Sequence, residues 1–212
     1  TPDIPNIHEG WGRINLTTLI DALALREYWD QTEMIGDTGE QIQIAVGVPD
    51  PGQPLKVTLA WSDAPGAVGA NPALVNNLDL TVETDGTTYL GNDFSAGWST
   101  TGGSPDALNN LGNVFVQAPG GSAIITIDAT AIVGDGVPYN GDATDQDFAL
   151  VCTNCALQPD FTLDVDPDAV VVCAPENAEF GISIGSILTY NDPVTLSASG
   201  EPAGTTVSFD QN

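Results

Sequence analysis

The sequence predicts a mainly β protein: a jelly roll or β-sandwich, preceded by one helix and followed by a partial second sandwich. Three observations predict it. Apolar residues alternate with period two over most of the chain, as in Ile42, Ile44, Val46, Val48 and in Leu55, Val57, Leu59, Trp61. Turn-forming clusters such as Pro49-Asp50-Pro51-Gly52, Thr84-Asp85-Gly86 and Ala118-Pro119-Gly120-Gly121 separate these runs. Only one stretch, near the N-terminus, carries apolar residues at helical spacing.

Residues 1–12 read as a polar, proline-bearing entry ending in Gly10-Trp11-Gly12. Asn15 can cap a helix over about 16–30, with Leu16, Leu19, Ile20 and Leu23 on one face. Glu33–Glu40, with two glycines, reads as a linker, so residues 1–40 stand apart from the β region. Strands are then expected at the two runs above, at Leu78-x-Leu80-x-Val82, and around Thr87–Leu90, Asn113–Gln117, Ala123–Asp128 and Asp147–Cys152. Many short strands joined by such turns make residues 41–155 a two-sheet sandwich or jelly roll. A second unit over 156–212 begins near a Gln158-Pro159 hinge. Alternation at Phe161, Leu163, Val165 and at Ala178, Phe180, Ile182, Ile184, with further strands at Val194–Ala198 and Thr205–Phe209, reads as the opening of an immunoglobulin-like sandwich. Such a domain usually needs ~100 residues, so its core is expected to be incomplete.

Among 212 residues, 29 are acidic and only Arg13, Arg26 and Lys56 are basic, giving a net charge of −26. That balance excludes nucleic acid as a partner and disfavours an anionic membrane, since both need clustered Lys and Arg. The self-repulsion calls for relief by bound cations, above all Ca²⁺, or by a salty medium. No stretch is apolar and long enough to cross a bilayer, and polar Thr1–Gly10 is no signal peptide, so an export signal would lie upstream. Cys152, Cys155 and Cys173 suggest one structural disulfide and one spare thiol. Cys152 with Cys155 across a tight turn is the first pairing, and Cys155 with Cys173 the rival.

The only histidine, His8, lies in the polar entry beside Glu9 with no nucleophile motif nearby, and reads as a surface residue. Acids and amides cluster more informatively between Trp61 and Asn113. Asp79 leaves the opposite face of its strand from Leu78 and Leu80, while Asp93 and Asp106 occupy loops. Loop carboxylates and amides converging at one end of a sandwich would build a hard-cation site; Asx residues that merely populate turns give the same pattern. Asp164-x-Asp166-x-Asp168 lacks the glycine and closing glutamate of an EF-hand loop, and Asp142–Asp147 lacks the pattern too. Both strings read as solvated faces.

Glu9-Gly10-Trp11-Gly12-Arg13-Ile14-Asn15-Leu16 resembles the end of the catalytic domain of subtilisin-like serine proteases. Leu59–Gly66, Leu74–Leu80, Tyr89–Phe94 and Asn109–Phe115 resemble the β-jelly-roll tail of some secreted bacterial members, similar in architecture to the P-domain of proprotein convertases. The resemblance covers about residues 8–152 and implies calcium in the jelly roll. Carried over, Asp79, Asp93 and Asp106 are the best matching ligand positions, with Asn110 and Asp63 behind them. Asn77 stands where relatives often carry Asp, and the Ser95–Ser104 loop is rich in Gly, Ser and Thr rather than acids. The family's catalytic Asp, His and Ser motifs are absent from these residues.

The resemblance therefore implies a non-catalytic, calcium-stabilised, monomeric accessory region of a secreted, extracellular serine endopeptidase, with the parent's catalytic domain as its partner. The alternative is a module that binds protein fibres or polysaccharide, with Trp98 as the candidate aromatic, or an extracellular spacer.

Overall fold

The computed structural model describes all residues except 1–3, 17–19, 21–24, 159, 168, 174–175, 188–191, 201, 203 and 210–212. The chain divides into a unit over 1–158 and a second over 159–212.

The first unit is built from β1 (Arg26–Ile35), β2 (Gln41–Gly47), β3 (Leu55–Ala60), β4 (Asn77–Thr84), β5 (Thr87–Leu90), β6 (Phe94–Ser95), β7 (Trp98–Ser99), β8 (Leu111–Val116), β9 (Ser122–Ala131), β10 (Gln146–Thr153) and β11 (Ala156–Leu157). A four-stranded sheet has the order β1-β10-β3-β8, and a five-stranded sheet the order β11-β2-β9-β4-β5. The β4–β5 hairpin lies at the centre of one long folded ribbon. Successive antiparallel pairs β3·β8, β2·β9 and β1·β10 extend it outward. Rolling that ribbon brings β10 against β3 and β9 against β4, which is a jelly roll.

Alternation explains why the sheets face each other. Leu55, Val57 and Leu59 of β3 are wholly buried, as are Ile125 and Ile127 of β9 and Leu150 of β10. Phe148, Val82, Val114 and Trp61 complete one continuous core between the sheets. The strands read from the sequence in this region are all present.

The expected helix is corrected where it can be followed. Residues 17–19 and 21–24 lie outside the described residues, and only an Ile20 N–H to Leu16 C=O bond of 3.0 Å marks a helical turn there. Arg26–Asp30 is strand, not helix, and Glu33–Ile35 belongs to the same strand rather than to a linker. β1 is an edge strand with a bulge between Asp30 and Met34, where Gln31 takes φ 55°. It buries Ile35 and packs Trp29 on the core, leaving Tyr28 and Met34 exposed. One-sided contact of this kind breaks strict alternation. Pairing with β10 overrides the local helical preference.

Cys152 and Cys155 form the disulfide, with Cα atoms 5.7 Å apart, and Cys173 is free and exposed. Between them Asn154 takes φ 63°, and its carboxamide bonds Asp50 N–H and the carbonyls of Asp50 and Gln53. One asparagine thus turns the chain and ties down the Pro49–Gly52 turn.

In the second unit, β12 (Asp160–Asp166) and β13 (Gly181–Ile187) form an antiparallel ribbon. Val194–Ala198 and Thr205–Phe209 are not strands, contrary to their alternation. No described residue of this unit is buried: Leu163 is 52% and Ile184 46% exposed.

Candidate metal centre

The loops following β5 and preceding β8 are knotted by asparagine. Asn92 sits at φ 64°, which Asn tolerates better than most residues. Its N–H donates to Asn113 C=O at 2.8 Å, and its Oδ1 accepts from Asn113 N–H at 2.9 Å. Its Nδ2 donates to Asp106 Oδ2 at 2.6 Å and to Leu111 C=O. Asp106 also accepts from Asn109 Nδ2 at 2.6 Å and from Leu108 N–H at 2.9 Å. Burial raises the Asp106 pKa, but these hydrogen bonds from Asn109, Asn92 and the backbone outweigh it and hold the group below the usual carboxylate value.

Asp79 reaches the same place from β4. Its carboxylate accepts from Thr130 Oγ1 at 2.5 Å, and in register it stands opposite Asp128 of β9. Burial raises its pKa against the Thr130 hydrogen bond, and the charges of Asp128 and Asp106 raise it further. Asp79, Asp106 and Asn109 line one small cavity of about 10 Å³, room for a single water-sized species. Its floor depends on glycine. A Cβ on Gly91 would meet Leu80 Cβ at 3.3 Å, and one on Gly112 would meet it at 3.2 Å.

The structure thus brings Asp79 and Asp106 together among the nominated ligands. The other three do not line this cavity. Asp63 accepts from the N–H groups of Val75 at 2.7 Å and Asn76 at 2.8 Å, fixing the approach to β4. Asp93 accepts from Thr100 Oγ1 and Gly103 N–H and closes the loop around β6 and β7. Asn110 donates to Trp61 C=O at 2.8 Å. Asp128 was not foreseen. Its position in an isoleucine-rich strand gives no local signal, and only the β4–β9 register sets it opposite Asp79.

The donor set can be tested against a cation. Two carboxylates, the Asn109 carboxamide oxygen, which no described donor reaches, and backbone carbonyls are hard oxygen ligands of the kind Ca²⁺ takes. Among the described residues no three His, Cys, Asp or Glu side chains converge as a metal group. A cation here would therefore rest on the two carboxylates, with neutral oxygens and water completing its shell.

A second acidic locus departs from its reading as a solvated face. Asp145 and Gln146 are buried. Asp145 accepts from Val137 N–H at 2.9 Å and from Asn140 Nδ2. Gln146 joins a knot around Asn76, a wholly buried residue. Asn76 Nδ2 reaches Gly134 C=O, Asp145 C=O and Gln146 Oε1, and its Oδ1 accepts from Val133 and Gly134 N–H.

His8 is exposed. Trp98 is half-buried, with Lys56 Nζ 5.8 Å from its ring centre, and is not a free aromatic platform. Among the described residues no helix is long and apolar enough to cross a membrane. No protein-family model and no curated protein matches the chain, so its resemblance to the subtilase tail rests on the quoted motifs.

Proposed function

We propose that this chain is a non-catalytic, calcium-stabilised accessory region of a secreted subtilisin-like serine endopeptidase, working beside the parent's catalytic domain. One observation carries the calcium reading: Asp79 and Asp106 share an ion-sized cavity, where burial first, and then the charges of Asp128 and Asp106, put strain on the ionised form of Asp79. A divalent cation would remove that strain. The association with subtilases rests on the motifs within residues 8–152. The buried Cys152–Cys155 disulfide is in keeping with an oxidising, extracellular setting.

The test is calorimetric titration of the chain with Ca²⁺ at high salt. Saturable binding that disappears in Asp79→Ala and Asp106→Ala supports the reading. The exposed Asp142→Ala serves as the control and should titrate like wild type. If wild type binds no Ca²⁺, the acidity reflects habitat alone and the stabilising role falls.

A further inference from the structure

We propose that the groove between the Pro5–Trp11 entry segment and the Asp106–Leu111 loop is a subsite for a cationic side chain, the guanidinium or ammonium of an arginine or lysine within a peptide. The groove encloses about 620 Å³. That exceeds what a bare ion needs and falls in the ~300–1,000 Å³ range of organic ligand sites.

Its walls select for charge and shape. Trp11, Asp106, Asn109 and Asn110 all line it, and among the described residues no Lys, Arg or His does. The Trp11 ring is held in T-shaped contact with Phe94 at 5.0 Å and Phe115 at 5.9 Å between centroids. An indole already held in place gives a cationic group an aromatic wall at little ordering cost. Four of the six side-chain amide protons of Asn92, Asn109 and Asn110 are engaged. Both N–H groups of Asn92 bond Asp106 and Leu111 C=O, Asn109 donates to Asp106, and Asn110 donates to Trp61 C=O. The carboxamide oxygens of Asn109 and Asn110 receive no hydrogen bond from any described residue, so these two open acceptors stand beside the Asp106 carboxylate, against one remaining amide proton on each asparagine. A donor-rich, positively charged, partly apolar group satisfies all of these, whereas an anion would face Asp106 and a chain of net charge −26.

The proposal goes beyond the calcium reading and can fail separately from it. Trp11 and Asn110 line the groove but not the ion-sized cavity. The test titrates the full chain with the blocked peptide acetyl-Gly-Arg-Gly-amide and its citrulline counterpart, in about 0.5 M NaCl to screen diffuse attraction. It is run with saturating Ca²⁺ and again with chelator. Saturable binding of the arginine peptide is expected, with the citrulline peptide about tenfold weaker. Trp11→Leu, which keeps apolar packing on Phe94 and Phe115, should lose about three- to tenfold in peptide affinity while its Ca²⁺ titration stays unchanged. Ser104→Lys, on the exposed rim, places a fixed cation in the groove and should abolish binding without touching the fold. Equal binding of the citrulline peptide would make this a neutral-ligand groove and overturn the proposal. Binding that survives both substitutions would reduce it to non-specific attraction.

Discussion

Asp79 on β4 stands directly opposite Asp128 on β9, two carboxylates in one cross-strand register. Each is steadied by a donor from the sheet, Thr130 Oγ1 for Asp79 and Gln41 Nε2 for Asp128. Like charges placed this way oppose folding. Burial first, and then the charges of Asp128 and Asp106, raise the Asp79 pKa against its Thr130 hydrogen bond, so the folded state holds the Asp79 proton more tightly than the unfolded chain does. Its contribution therefore favours folding below the ordinary carboxylate value and is lost as pH rises through the raised one. At neutral pH without a cation, ionised Asp79 weakens the fold. Asp79→Asn removes the charge and keeps an oxygen for Thr130. In chelator at pH 7 its urea midpoint should exceed that of wild type, and near pH 3 the gap should close. A lower midpoint at pH 7 would show that the carboxylate stabilises the apo protein.

Calcium should reverse that balance. A ligand that binds only the folded state at a thousandfold excess over its Kd adds ~4 kcal/mol. Wild type should therefore melt at a higher temperature in Ca²⁺ than in chelator at equal ionic strength, while Asp79→Ala and Asp106→Ala should show little shift. An equal shift in wild type and both variants would place the ion elsewhere.

The strands were legible because alternation is a local signal tied to burial: Leu55, Val57 and Leu59 read as an inner face and are one. The way the strands roll into a jelly roll was narrowed by turn chemistry, but which strands pair is a non-local matter. β1 was missed because an edge strand buries too few side chains to alternate. The clustering of acids and amides pointed to this region, and the resemblance singled out Asp79, Asp93 and Asp106 in it, yet spacing cannot separate a carboxylate free to bind a cation from one already serving backbone N–H groups, as Asp63 does. The same blindness hid the burial of Asp145, whose neighbours along the chain, Asp142 and Thr144, suggest a wet surface.

Asn76 should be among the least replaceable polar residues. Its carboxamide serves acceptors at Gly134, Asp145 and Gln146 and donors at Val133 and Gly134, all around a wholly buried side chain. Asn76→Ala strands several of these groups, at ~1–3 kcal/mol for each left unsatisfied. A loss of about 3 kcal/mol or more is expected by urea denaturation. Asn76→Asp should also destabilise, because a carboxylate cannot donate to the three acceptors. Near-wild-type stability in Asn76→Asp would mean that the donor side of this knot contributes little.

The Cys152–Cys155 bridge closes a sequence separation of only 3 residues. In the chain-entropy view so short a loop contributes ~2 kcal/mol, well below the ~4–5 kcal/mol of a long one. Replacing both cysteines by alanine should therefore lower stability by about that modest amount. The β10–β3 pairing, which runs through Cys152 opposite Val57, should survive. Amide exchange at Val151 and Thr153 gives the check: protection falling to that of exposed loops would show that the bridge, and not strand pairing, holds this end of β10.

Asp106 gives the opposite pH dependence to Asp79. Its pKa is lowered, so its contribution is present above the ordinary carboxylate value and is lost as pH falls through the lowered one. Protonation would weaken its acceptance from Asn92, Asn109 and Leu108 N–H together, releasing the loop that walls the cavity. Asp106→Asn should thus destabilise at pH 7, by the ~1.5–3 kcal/mol typical of hydrogen bonds to a charged group, and converge on wild type in acid. Exchange at the Leu108 amide, followed from pH 7 downward, should accelerate in wild type only once the carboxylate titrates. Fast exchange at neutral pH would mean that Asp106 does not hold the loop, and would remove the preformed wall on which both the cation site and the groove depend.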